Sequence, residues 1–256
     1  MKRNTDYKNE ALAALKGNWG KAVLATVIFA AVMYLALGPY VYNMVKMQTY
    51  VRENMPEISS SASLGTAMRQ AMEVSVAMTQ DAEYMAMQSK ASGSMGLYYL
   101  LLFFVVMPLA LGMVNAFRRL LVQGDDALTE NMYKIATGNY WHKVWGMFLM
   151  SLFIFLWSLL LVIPGIVKAF SYAMTPFILE ENPELSANEA IDRSRAMMKG
   201  HKFDLFWLAL SFIGWWFLCL FTLGIGYLWL SPYMQTAFAS FYEDVKADYE
   251  VNGGLI

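Results

Sequence analysis

The chain has 256 residues, 58% of them hydrophobic and only 15% charged, with a mean hydropathy of +0.39 and a formal net charge of -1. A soluble domain carries roughly a quarter of its residues charged, and a chain this apolar has too much hydrophobic surface to hide in one globule. The near-neutral balance gives no electrostatic reason to expect nucleic acid as a partner, and the single Cys219 leaves neither an internal disulfide nor a thiolate metal site.

From the N-terminus, Met1 to Lys16 is polar but patterned, with Leu12 and Leu15 one turn apart and Lys2, Arg3, Lys8 and Lys16 elsewhere. This predicts a short helix lying in the membrane interface. Gly17 suits the left-handed residue that ends a helix, and the Trp19 indole suits the headgroup boundary. Ala22 to Val45 is uncharged over about 24 residues, enough for a first membrane span. The run is longer than the apolar core of a signal peptide and lacks a small-residue cleavage site, so it is expected to remain in place.

Residues 46–94 form a Met-rich insertion, expected to be extracytoplasmic, with a helix over 63–90 in which Met68 and Met72 share a face. Thioethers favour copper(I), but irregular spacing without His or Cys makes packing or docking the simpler reading, and no metal or other cofactor is expected. Gly96 to Phe117 makes a second span with Pro108 near its middle, closed by Arg118 and Arg119 as surface anchors. Asp126 to Ala136 gives another amphipathic piece, with Leu128, Met132 and Ile135 on one stripe. Gly138-Asn139-Tyr140-Trp141 then repeats the Gly17-Asn18-Trp19 junction.

Val144 to Val167 is a third span, and the Pro164-Gly165 turn leads into a shorter arm over 166–179, which either crosses or re-enters. Ser186 and Glu189 form a capping box. The helix they start puts Ala190, Ile191, Met197 and Met198 on one side and Glu189, Asp192, Arg193 and Lys199 on the other. Gly200-His201-Lys202-Phe203 is the third such junction. Leu205 to Tyr242, uncharged over about 38 residues, reads as two arms joined at Leu223-Gly224-Ile225-Gly226.

The expected fold is therefore all-α, a polytopic membrane bundle of about six spans, arranged as three repeated hairpins each preceded by an interfacial amphipathic helix. A single membrane domain is expected over residues 1–256. Lys and Arg concentrate in the N-terminal helix and in the connections Arg118 to Lys143 and Arg193 to Lys202. Both termini are accordingly expected on the cytoplasmic side of a bacterial inner membrane.

Asn182-Pro183-Glu184-Leu185-Ser186-Ala187-Asn188-Glu189-Ala190-Ile191-Asp192-Arg193-Ser194, Met198-Lys199-Gly200-His201-Lys202 and Leu210-Ser211-Phe212-Ile213-Gly214-Trp215-Trp216 resemble the bacterial integral-membrane family catalogued as domain of unknown function 975. So do Pro232-Tyr233-Met234-Gln235-Thr236-Ala237 and the close at Phe241-Tyr242-Glu243. The likeness covers most of the chain and leaves out the Met-rich insertion. More distantly, the hairpins are similar to the membrane domain attached to some glycerophosphodiester phosphodiesterases. The resemblance implies a membrane bundle and supplies no catalytic residues.

Ionisable groups within a span are costly and tend to be functional. Lys168 is the exception expected here, an anchor or a headgroup contact, and His201 is a second candidate for headgroup contact. No catalytic or metal-binding set is expected, since His142 and His201 have no recognisable partners in sequence. Pro108, Pro176 and Pro232 each free a carbonyl one turn earlier. With Asn115, Thr175, Ser231 and Gln235 they either line a central pocket or adapt packing. The preferred reading is a non-enzymatic protein engaging membrane lipid, an envelope protein partner or a second copy of itself. The alternatives are a transporter or channel for a lipid-like or neutral solute and, with least support, a membrane enzyme acting on lipid headgroups.

Overall fold

The computed structural model describes residues 1–54, 63–134 and 139–251. Those residues are helical with connecting turns and include no strand. Five segments are long and apolar enough to cross a membrane: Trp19–Asn54, Ala82–Gln123, Tyr140–Leu160, Val162–Glu181 and Lys202–Phe221. Helices suit hydrocarbon because each satisfies its backbone groups internally. The sixth expected arm is the start of a long helix, Tyr227–Val251, that interleaves Ser231, Gln235, Thr236 and Ser240 with its apolar residues and so falls short of the other five in hydropathy.

The chain divides into two compact units, one of residues 1–30 and 103–256, the other of residues 31–102. In the first unit, α1 (Asn4–Leu15) lies on α13 (Tyr227–Val251) and α5 (Met107–Gln123). Its buried stripe is Tyr7, Ala11 and Leu15, spaced by four, while Leu12 is exposed. The helix expected to lie in the interface is docked on the protein through this stripe. The pair of leucines three apart straddles the edge of its buried face. α6 (Leu128–Tyr133) buries Leu128 and Met132 as expected. Ile135 and Gly138, assigned to that stripe and its junction, lie outside the described residues.

α7 (Tyr140–Leu160) and α8 (Val162–Tyr172) form a hairpin, and the returning arm continues as α9 (Thr175–Glu181) after a break at Ala173-Met174. Pro176 sits in the first turn of α9, where a missing N–H costs nothing. α10 (Ala187–Met197) mends the break: its buried Ser194 hydroxyl donates to Ser171 O at 3.0 Å and accepts from Met174 N at 3.1 Å. Ser186 and Glu189 make the expected capping box at its start. Ile191 and Met198, on the apolar side of this amphipathic helix, are buried in the protein interior at 4% and 0% exposure. α11 (Lys202–Leu210) and α12 (Ile213–Phe221) complete the fifth apolar segment. The turn into α13 places Leu223 and Gly224 at φ 52° and 86°.

Pro108 explains a local irregularity. A π-helical turn over Leu102–Val106 precedes it, widening the helix where the proline ring would strike the carbonyl one turn back. That carbonyl, Phe104 O, accepts the Tyr140 hydroxyl from α7.

In the second unit, the rest of α2 (Trp19–Asn54) is joined by α3 (Leu64–Gln80) and α4 (Ala82–Leu101). The single helix expected over 63–90 is two helices meeting at Asp81. Its carboxylate caps α4 by accepting Tyr84 N at 2.8 Å and also accepts the Tyr50 hydroxyl at 2.8 Å. A side chain that competes for backbone donors favours such a break over continuous helix.

Gly165 lets α8 meet α7: a Cβ there would lie 2.7 Å from Ser158 Cα, a backbone atom that cannot step aside. Gly165→Ala is expected to lower the thermal unfolding temperature in detergent, at a cost of about 1 to 3 kcal/mol for overpacking. Gly214→Ala, with open space at that position, leaves it unchanged or raises it.

Candidate functional site

Charged side chains from four helices converge where α5, α7, α9 and α13 meet. Arg118 of α5 pairs through Nη2 with Glu181 of α9 and donates from Nε to Glu243 of α13 at 2.5 Å. Lys246, one turn further along α13, reaches Glu181 Oε1 at 2.7 Å, and the Tyr242 hydroxyl donates to Glu181 Oε2. Beside them Lys143 of α7 sits 3.1 Å from Glu180 Oε1, and Asn115 Nδ2 donates to Glu180 Oε2 at 3.4 Å. Arg118, Lys143, Glu180 and Glu181 have side-chain exposures of 13%, 11%, 8% and 16%. These are therefore largely desolvated pairs, in which losing one partner strands the other. Arg118 is a member of this clasp rather than the free surface anchor expected.

A second set of polar contacts fastens α1 beside the clasp. The Tyr7 hydroxyl donates to Asp244 Oδ2 at 2.7 Å, and Lys2 N donates to the same oxygen at 2.8 Å. Glu10 accepts the Ser240 hydroxyl and pairs with Lys2 Nζ at 2.7 Å. Burial opposes charge on Asp244, but the hydrogen bonds from Tyr7 and Lys2 outweigh it and hold the carboxyl below its ordinary 3.8. Burial first, and then the bond to Asp244, pushes the Tyr7 hydroxyl up from 10.0.

Between α8, α9, α11 and α13 lies a cavity of about 340 Å³, lined by apolar side chains including Val114, Phe170, Phe177, Leu205 and Phe238. Gln235 is the polar side chain on its wall. One end of the carboxamide bonds Ser231 Oγ at 3.2 Å, and the buried Oε1 has no hydrogen-bond partner among the described residues. Phe177 connects the two sites, lining the cavity while stacking on Tyr242 at 4.6 Å between ring centroids.

The residues expected to form one pocket are thus divided. Pro176 and Gln235 line the cavity, and Ser231 supports Gln235. Thr175 is fully buried with Oγ1 unpartnered, next to cavity-lining Met174 and Pro176. Pro232 is buried in α13, with its carbonyl accepting the Thr236 hydroxyl at 2.8 Å. Asn115 belongs to the clasp, and Pro108 to the widened turn.

Lys168 Nζ stands 4.5 Å from the Trp157 ring centroid, a cation on an aromatic face. His201 lies between carboxylates, Nε2 at 3.2 Å from Asp248 and Nδ1 at 3.6 Å from Asp204. Among the described residues no cluster of three His, Cys, Asp or Glu side chains can hold a metal ion. The clasp itself was missed in the sequence. Its one signal there is that Arg118, Lys143, Glu180-Glu181 and Glu243 each stand at an end of an apolar run.

The pH dependence of the α1 fastening follows in sign from these shifts. Asp244, depressed when folded, contributes stability that is present above its ordinary 3.8 and lost as pH falls through its folded value. Tyr7, raised when folded, contributes stability that is full below 10.0 and lost as pH rises beyond it. Hydrogen-exchange protection of the α1 amides is expected to be greatest between these limits, and Asp244→Asn is expected to abolish the acid limb.

No curated protein and no solved structure matches the chain. A family model described as a protein of unknown function, DUF975, matches residues 1–249, which take in the residues of both sites and the Met-rich segment; the chain belongs to that family.

Proposed function

We propose that the protein is a non-enzymatic, multi-pass protein of the bacterial inner membrane that binds a lipid-like molecule in the cavity beside Gln235. The observation that carries this reading is the unpartnered carboxamide end of Gln235 on an otherwise apolar wall. A buried polar atom without a partner costs about 1 to 3 kcal/mol, so a ligand with an apolar body and one complementary polar group gains where a pure hydrocarbon does not.

The clasp supports six crossings in three hairpins. It gathers the C-terminal ends of α5, α9 and α13 and the N-terminal end of α7, an arrangement that supports a crossing by α8 and α9 together and a sixth by α13. The arginines and lysines near these ends favour the cytoplasmic side for the clasp and both termini. A transporter or channel for a lipid-like or neutral solute is the second reading. It is favoured by the break between α8 and α9 beside the cavity, as broken helices frame substrate sites in transporters.

Mass spectrometry of molecules that co-purify in mild detergent tests the proposal, with an unrelated membrane protein from the same cells as reference. One lipid species is expected to be enriched with the native chain and depleted about tenfold with Gln235→Leu, corresponding to a lost hydrogen bond in an apolar site. The same bulk lipid from both proteins, unchanged by Gln235→Leu, contradicts it.

A further inference from the structure

We propose that the second unit carries an anion site for a phosphate group between α2 and α4, at the membrane surface. A cleft of about 340 Å³ is lined by Tyr42, Asn43 and Lys46 from α2 and by Glu83 and Lys90 from α4. The spacing on each helix places these side chains on one face: positions 42, 43 and 46 span one turn, and 83 and 90 stand two turns apart.

The two lysines are matched in depth. Lys46 ends the uncharged run of α2 that begins at Ala22, and Lys90 immediately precedes an uncharged run from Ala91 to Phe117. Each is therefore the last charge before hydrocarbon, and they face one cleft from helices running in opposite directions. That is the level of lipid phosphates, which an ammonium on a flexible stem can reach.

Neither lysine has an ion-pair or hydrogen-bond partner among the described residues, whereas Lys21, Lys143 and Lys246 are each matched to a carboxylate. Glu83 lines the same cleft without pairing with either, so the cleft holds two uncompensated cations against one carboxylate. The Tyr42 hydroxyl and the Asn43 amide add neutral donors suited to phosphate oxygens. Above the cleft, the Tyr50 hydroxyl bond to Asp81 at 2.8 Å ties the start of α4 to α2, which fixes the spacing of the two walls. Two sources share the required chemistry, a phospholipid headgroup and free inorganic phosphate.

The test uses the full chain in detergent and native mass spectrometry with added phosphatidylglycerol, with and without inorganic phosphate. Lys46→Gln/Lys90→Gln is expected to lower phosphatidylglycerol adducts about tenfold or more, Lys46→Arg/Lys90→Arg to retain them, and Glu83→Gln to increase them. Circular dichroism and thermal melting check that the variants fold. Adducts that survive excess inorganic phosphate identify the headgroup as the source. Their displacement by phosphate, together with phosphate raising the melting temperature of the native chain but not of the double glutamine variant, identifies the free anion. If the folded double glutamine variant binds both as the native chain does, the proposal is overturned.

Discussion

The Arg118 guanidinium, held between Glu181 and Glu243, is the contact on which the packing of the first unit depends. Its partners come from two helices far apart in sequence, and Lys246 adds a second cation on Glu181. Largely buried charges repay their desolvation only when each is matched by geometry and by further hydrogen bonds. Tyr242, Lys143 and Asn115 provide those matches. Apolar helices in lipid have little hydrophobic reason to prefer one another, so directional polar contacts at their ends weigh heavily in fixing which helices meet.

The same economy governs the backbone. Pro108 costs a helical bond and widens one turn, and Tyr140 supplies the donor for Phe104 O. The returning arm breaks before Pro176, and Ser194 of α10 bonds both sides of the break. Each irregularity is answered from a neighbouring helix, as hydrocarbon requires. The break also borders the cavity, whose lining runs across it from Phe170 to Phe177. The cavity and the clasp then share one structural member, Phe177, which lines the first and stacks on Tyr242 of the second.

Much of this architecture is legible in the residues. Uncharged runs of about 20 residues, glycine-aromatic junctions and the Ser186-Glu189 box place the apolar helices and the start of α10 well, because each is a local property. Contacts between helices are not local. Arg118 reads as an anchor because arginines at span ends usually are, and nothing in sequence shows that Glu181 and Glu243 return to it. Ile191 and Met198 form an amphipathic face, yet periodicity cannot say whether lipid or protein covers it; protein does, with α7, α8, α9 and α13 packed on α10. Tyr7 escapes notice because its hydroxyl makes it look polar, while its ring is fully buried against Phe241 at 5.5 Å. Gln235 is visible as a polar residue in an apolar arm, but the volume beside it is a property of the packed helices.

A double-mutant cycle between Arg118→Met and Glu181→Gln, read as unfolding free energy in detergent, tests most directly whether the clasp joins the helix ends. Directly paired, desolvated groups are expected to show a coupling of about 1 to 3 kcal/mol, with each single change more costly than the pair changed together would imply by addition. Additive effects within about 0.5 kcal/mol would mean that the two side chains do not depend on one another, and that this pair does not join α5 to α9.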